Sequence, residues 1–473
     1  MKILIFLFPF CAFANSISLN QYLDQVSEKH QDYRSAKETF EANTLMANEG
    51  DLLLATNLFA NATYTDDSRP NLLFNYAKMI DSKYQFGLNK QSSIGLSGRL
   101  YYTWENTSYY DMTFNGPPMS IFGTQASPAI DLTFSLWRNF WGSETKTQLA
   151  QANAMKAAQK FGASFNMKNI LAEAEGNYWN LALARESVKV AKGGLQRATE
   201  LFKWYKYRAS TGLTDKADLL QSEAALEQRK LDLKNAEDAE VLAARNFNSS
   251  RDVDSANVPE QLAPMTSASL DQLNIPARAE MRDDTRAALE QSNAAQAADE
   301  QTRQSYVPTL DVFGTAAFNN DNPRSDQDQS NAFNNSFSGT RPTQVIGVRF
   351  SAPLDVGLVL DARAGHKAAM HAAELNYQRK LFEQEKNWHD LTEKFQQAKG
   401  RLAIYDQLEK AQKSKLDYER VRRKQGRTTT QWVIQFETEY EQTQLARIQS
   451  MSEILQLLAQ MKTYASSTET VTR

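Results

Sequence analysis

From Glu144 to Arg245 the chain contains no proline, and its apolar residues recur along one seam. They fall at Ile170, Ala174, Tyr178, Leu181, Ala184, Val188, Ala191, Leu195, Ala198, Phe202 and Tyr205, ten steps over thirty-five residues. That mean step of 3.5 is the coiled-coil period, not the 3.6 of a free surface helix. A helix from Glu144 to Tyr207 spans roughly 96 Å at the standard rise. A compact domain has no interior that long, so the helix must lie along something other than a globular core. Ser210-Thr211-Gly212-Leu213 then turns the chain, and a second helix runs back.

The rest of the chain says where such an object works. Residues 1–14 read as a secretory signal: Met1-Lys2, an apolar run from Ile3 to Phe13, and Ala12-Phe13-Ala14 as an A-x-A cleavage site. The single cysteine, Cys11, lies inside that run. It is a poor lipid-attachment candidate because Phe10 precedes it. Cleavage after Ala14 leaves no disulfide framework and no thiol chemistry. No later apolar run has the length of a transmembrane helix. The balance of 53 basic against 56 acidic residues gives no basic excess, so no nucleic-acid partner is expected.

Taken in order, Leu19 to Leu54 reads as a helix with Asn20 as N-cap. Asn57 to Thr65 reads as a strand, as do Tyr84–Leu88 and Ser93–Trp104, joined by Asn89–Ser92. A loop carrying Gly116-Pro117-Pro118 is expected between Glu105 and Ser127, then a strand from Pro128 to Trp137. Ser143 is a fair N-cap for the long helix. Asn246 to Pro276, rich in Ser, Asn, Asp and Pro, is the clearest boundary. Beyond it the pattern begins again: a helix over 278–304, strands over 309–318 and 343–350 around a polar loop, a long helix over 361–424, a turn at Gln425-Gly426-Arg427, and a returning helix from Thr428 to Tyr464.

The chain therefore reads as two internal repeats: 15–250 and 278–464, with a linker over 251–277 and a polar tail over 465–473. A shift of 214 superposes Arg208 on Arg422, Gly212 on Gly426, Thr214 on Thr428, Gln221 on Gln435, Glu223 on Glu437, Glu227 on Glu441, Gln228 on Gln442 and Leu231 on Leu445. The fold class is α+β, with long coiled-coil helices and strands of a length suited to a tilted bilayer crossing. Strands cross a bilayer only as a closed barrel. One strand pair per repeat gives four strands, too few to close, so several chains must share a barrel. Tyr64, Tyr101, Tyr102, Trp104, Trp137, Phe140, Trp141, Phe313, Phe318 and Phe350 near strand ends fit an interfacial girdle. The alternative is a soluble sandwich with these aromatics as its core.

Several stretches carry a family resemblance. They are Leu19–Leu23 through Tyr64, Ile130–Gly142, Arg208–Glu223, Ser305–Leu310 and Gly347–Leu354. In order and duplication they resemble the TolC-like outer-membrane efflux proteins over essentially the whole mature chain. The resemblance implies a homotrimer in which each chain gives four strands to a twelve-stranded outer-membrane barrel and its helices to a periplasmic tunnel. It implies a periplasmic adaptor, an inner-membrane transporter, and a cargo of drugs, metabolites or polypeptides, as in a tripartite efflux pump or a type I secretion system. It places adaptor contact at the hairpin tips, Ser210, Thr211, Gly212, Leu213 and Thr214 in one repeat and Gln425, Gly426, Arg427 and Thr428 in the other. The chain departs from the family at Asp66–Ser127, an excess that reads as an extracellular hairpin or an insert. It departs again where the family's namesake carries acidic gate residues, here Trp432 and Gln435. Three converging copies of Trp432 could form a hydrophobic constriction with Gln435 as a neutral ring. The alternative is that Trp432 packs in the coiled-coil seam.

Other features are weaker. Gly212 and Gly426 suit left-handed helix caps with or without an adaptor contact. The Arg422-Arg423-Lys424 and Arg427 cluster reads equally as a solvated face with helix-dipole benefit or as a pairing surface. His366, His371 and His389 lack the i,i+4 spacing of a helical zinc pair. No catalytic motif, metal site or cofactor site is expected. A periplasm-spanning coiled-coil scaffold or adhesin is the competing functional class.

Overall fold

The computed structural model describes residues 16–69, 76–113, 116–267, 270, 273–322, 329–337 and 342–465. The signal segment with Cys11, and the tail beyond Ala465, lie outside them. The described chain forms two compact units: Met1–Ala42, Gln159–Ala287 and Gln378–Arg473 in one, Asn43–Ala158 and Ala288–Tyr377 in the other.

Helices make up most of the first unit, and several of them run on in sequence into the second. Strand β1 (Ser16–Ile17) precedes α1 (Leu19–Lys29). Its N-cap is Ser18 rather than Asn20, because Ser18 and Gln21 exchange the two bonds of a capping box. The expected single helix to Leu54 is interrupted: α2 covers Gln31–Leu45, and a 3₁₀ segment covers Met46–Leu54. The long helix α3 runs Ser143–Ser210, and α4 returns over Lys216–Ser249. In the second half, α5 (Asp283–Ser305) leads to α7 (Val356–Lys424) and α8 (Thr430–Lys462), with the short α6 (Gln329–Asn335) between strands. At 68 and 69 residues, α3 and α7 are each about 100 Å long.

The seam read from sequence is the buried face of α3: Ala174, Tyr178, Leu181, Val188, Ala191, Ala198 and Tyr205 are all buried. Tyr22 stacks on Phe247 at 4.2 Å, and its hydroxyl donates to the Phe247 carbonyl at 3.0 Å. Burial pushes the Tyr22 phenol up to about 12. The Tyr178 hydroxyl accepts from the Ala263 amide at 2.8 Å and donates to the Ile17 carbonyl at 2.9 Å. It thereby ties down the two-residue parallel pair of β1 with β6 (Gln261–Leu262).

The second unit holds one sheet in the order β2-β3-β4-β5-β7-β9, with β8 beside β5. The strands are β2 (Asn57–Asp67), β3 (Lys78–Gln91), β4 (Leu96–Met112), β5 (Met119–Ser135), β7 (Thr309–Phe318), β8 (Asn320–Asn322) and β9 (Pro342–Ser351). Six full strands, four of them from the first half of the chain, overlap the six read from the sequence; what the sheet corrects is the reckoning of one strand pair per repeat, since among the described residues the first half contributes two pairs. The loop expected over 105–127 is instead mostly strand, because β4 and β5 continue pairing up to Met112↔Met119. The excess stretch after Asp66 is a hairpin, β3–β4, inserted between β2 and β5.

Tyr178→Phe should remove both phenol bonds at a buried site. It should lower unfolding stability by about 1–3 kcal/mol, measured as a shift in the chemical-denaturation midpoint at unchanged slope.

Candidate functional site

Residues directly opposite one another in an antiparallel sheet share a face. The register rows join Leu58, Leu88, Leu100, Ile130, Ala316 and Gln344, and, next to them, Asn57, Asn89, Arg99, Asp131, Thr315 and Val345. The first face continues through Tyr84, Phe86, Leu96, Leu132, Phe134, Val312, Ile346, Val348 and Phe350. The second continues through Asn61, Lys83, Gln85, Ser97, Thr103, Glu105, Gln125, Thr133, Asp311 and Arg349. One face is mainly apolar and the other mainly polar; Phe59, Tyr101 and Phe313 fall on the polar side, where the Arg99 and Arg349 guanidinium groups lie over their rings.

The apolar face is open to solvent, with Leu58 78% exposed, Ile346 86% and Phe350 62%. An ordinary sandwich would bury it, so the reading of the aromatics as a soluble core fails for these strands. Helix α6 covers only a small part, where Ser336 and Phe333 meet Tyr102. The polar face is cross-linked instead: Lys83 with Glu105 at 3.1 Å, Gln85 with Thr103 at 3.1 Å, and Asp131 with Thr315 at 2.8 Å. Aromatics cluster at one end of the apolar face, where Phe134 meets Phe140 and Trp141 edge-on.

The same end carries a close backbone lock. The β3–β4 turn ends at Gly95, φ +77, and the 3₁₀ turn from β5 into α3 ends at Gly142, φ +76. A Cβ on Gly95 would lie 2.1 Å from the Asn139 carbonyl oxygen, and one on Gly142 would lie 1.8 Å from that of Ser93. Both glycines are required twice over, by dihedral and by approach. Gly95 was not singled out from the sequence; Gly142 was read as the break before the long helix, but Ser143, expected as its N-cap, has helical dihedrals and is the first residue of α3.

The two helical tips are built alike, 214 residues apart. Gly212 and Gly426 have φ +72 and +70. The Leu213 amide donates to the Arg208 carbonyl at 2.8 Å, and the Arg427 amide to the Arg422 carbonyl at 2.9 Å. These are the bonds of a left-handed C-cap. Arg208 Nη2 donates to the Leu213 carbonyl at 2.9 Å and Arg422 Nη2 to the Arg427 carbonyl at 3.0 Å, so each arginine clasps its own turn. Ser210 and Thr211 hydroxyls donate to the Tyr207 carbonyl. Thr214 donates to Asp218, and Thr428 to Glu419. The Thr430 hydroxyl reaches Asp218 Oδ1 at 2.5 Å, joining one tip to the other. Arg208 and Arg423 lie over the Trp204 ring at 4.7 and 5.3 Å. Burial holds the Arg423 guanidinium below its usual range.

The expected gate residues lie just beyond. Trp432 is 49% exposed, leaning on Phe436 at 5.6 Å. Gln435 is exposed and donates to Glu439, whose carboxyl Lys415 holds below the usual range. Sequence reading passed over Glu439, one turn beyond Gln435. No group of side chains able to hold a metal ion occurs among the described residues.

A two-faced antiparallel sheet and helices of this length also occur together in solved outer-membrane channels. Known structures agree. The chain superposes on the outer membrane protein VceC of Vibrio cholerae with a TM-score of 0.65 at 15% identity, covering 94% of this chain and 95% of that one. It superposes on the CmeC outer membrane channel of Campylobacter jejuni at 0.61 and 13%, covering 94% and 85%. On the MtrE outer membrane channel of Neisseria gonorrhoeae the values are 0.60 and 15%, covering 93% and 88%. No family model matches the sequence. Protein CyaE of Bordetella pertussis is 35% identical over 130 residues, and the match spans about a quarter of either chain, 27%. The chain has the fold of the TolC-like outer-membrane efflux channels.

Replacing Gly212 or Gly426 with Val should strain a left-handed cap by about 1 kcal/mol or more at each site. A Cβ added at either glycine would meet no heavy atom within 4 Å beyond its chain neighbours, so the effect should come from the dihedral. Amide exchange should quicken at the affected tip while the sheet keeps its protection.

Proposed function

We propose that this chain is the outer-membrane exit duct of a tripartite efflux pump or type I secretion system, working as a homotrimer. The observation that carries the reading is the sheet: an apolar face open to its surroundings, a polar face behind it and, among the described residues, an unpaired edge at each end. Such a sheet suits outer-membrane lipid on one side and a water-filled lumen on the other. A scaffold or adhesin has no use for an apolar sheet face left open to solvent. The channel fold supports the same conclusion, and catalysis forms no part of it.

In this reading the helices extend into the periplasm and their tips meet the adaptor, which links the duct to an inner-membrane transporter. The contact residues are Ser210 to Thr214 and Gln425 to Thr428. The clasped turns present preformed backbone, which lowers the ordering cost of docking. Small molecules or polypeptides are the cargo. Trp432 is the periplasmic gate, with Gln435 as a polar ring beside it. Half-exposed in the protomer, its indole is free to meet its symmetry mates, and three of them would narrow the tunnel by bulk and dewetting.

The protein should extract from outer membranes as a heat-modifiable trimer. Recovery as a soluble periplasmic monomer without detergent would defeat the proposal. Trp432→Ala should raise single-channel conductance in a planar bilayer and leave trimer stability nearly intact. Unchanged conductance with a trimer loosened by about 3–5 kcal/mol would instead mean a packed residue.

A further inference from the structure

The inserted hairpin β3–β4 is built as wall. Its strands keep the two faces of the sheet: Phe86, Leu88 and Leu100 on the apolar side, Gln85, Asn89 and Arg99 on the polar side. An extracellular loop or a periplasmic insert has no reason to alternate in phase with its neighbours. It is paired along its length to β2 on one flank and β5 on the other. Its turn is keyed into the β5-to-α3 junction through the facing glycines Gly95 and Gly142.

The sheet edges add a second observation. Every main pairing is antiparallel, and the path holds six strands, so β2 and β9 run in opposite directions. A copy of β2 laid on β9 therefore continues the antiparallel pattern. The lengths match, at 11 and 10 residues. Within one chain Asn57, the first residue of β2, is level with Val345, six residues before the end of β9 at Ser351. Closing a barrel requires such a stagger between repeats. The stagger must also be even, since an odd slip turns apolar residues to the wrong face. A shift of six pairs the two strands end to end and sets Leu58 opposite Phe350, Ala60 opposite Val348 and Ala62 opposite Ile346.

We infer that β9 of one copy pairs with β2 of the next in this register, and that the β3–β4 hairpin lies in the wall. The inference rests on the trimeric duct proposed above. Three copies of six strands then give an eighteen-stranded barrel in place of the twelve that the family resemblance implies. Diameter grows roughly in proportion to strand number, so the opening is about half as wide again. The duct is thereby suited to bulkier cargo at its outer end than a twelve-stranded relative.

Two measurements on the full chain test this. Its single natural cysteine is Cys11, so introduced thiols report cleanly. In Ala60→Cys/Val348→Cys, oxidation should link neighbouring copies in a ladder ending at three. Ala60→Cys/Gly347→Cys, one residue out of register and on opposite faces, should link far less. Linkage only within one chain, or stronger linkage in the second variant, overturns the edge pairing. A ladder ending at another number overturns the trimer and with it the count of eighteen. For the hairpin, Gln85→Cys and Asn89→Cys should react with a charged maleimide in membranes. Leu88→Cys and Leu100→Cys should react at least tenfold more slowly until detergent is added. Equal reaction on both faces places the hairpin in water and overturns its assignment to the wall, whatever the cross-links give.

Discussion

A strand at the end of a sheet leaves every second peptide group without a partner, and water normally supplies the missing bonds. Beside hydrocarbon water is absent, and each orphaned group costs several kcal/mol. Among the described residues this chain has two open sheet edges, on β2 and β9, next to an apolar face exposed in the single protomer. The same sheet hides its polar groups in cross-strand pairs on the opposite side. In the proposed duct, where lipid replaces water beside the sheet, a ring of copies pairs the edges and leaves the apolar face to the hydrocarbon.

The helices solve a different problem. An α-helix satisfies its backbone internally, so α3 and α7 can be very long without a globular core beneath them. Their ends cannot. At each tip four carbonyls lack helical partners, and the duplicated answer is a glycine in the left-handed region with an arginine folded back over the turn. At the other end of α3, β5 passes into the helix through Gly142, in a junction tight enough to exclude any side chain. These bends are where the chain changes from one solution of the backbone problem to the other.

Much of this was legible in the sequence. The 3.5-residue seam from Ile170 to Tyr205, the turn glycines 212 and 426, and strands at 57–65, 309–318 and 343–350 all emerge from periodicity and breakers, which are local properties. The stretch over 105–127 did not, because Tyr, Thr, Asn and Ser there alternate without a strong hydrophobic signal. Its strand character comes from pairing with partners far along the chain. The choice of Ser18 over Asn20 as cap turned on a reciprocal pair of hydrogen bonds with Gln21, and the first helix breaks at His30, where the backbone is extended.

Composition and period thus determined the elements themselves: long helices because their apolar stripe repeats every 3.5 residues, strands because apolar and polar residues alternate. They determined the resemblance to a channel as well, since the order of those elements is local information read along the chain. Only the tertiary structure decided how many strands enter the sheet and which face each residue joins. Register is a property of strand pairs, and a slip of one residue exchanges every apolar side chain for a polar one. The β3–β4 hairpin was legible as two strands, but nothing local says which sheet it joins. Set between β2 and β5, with its turn seated against Gly142, it becomes part of a continuous two-faced surface.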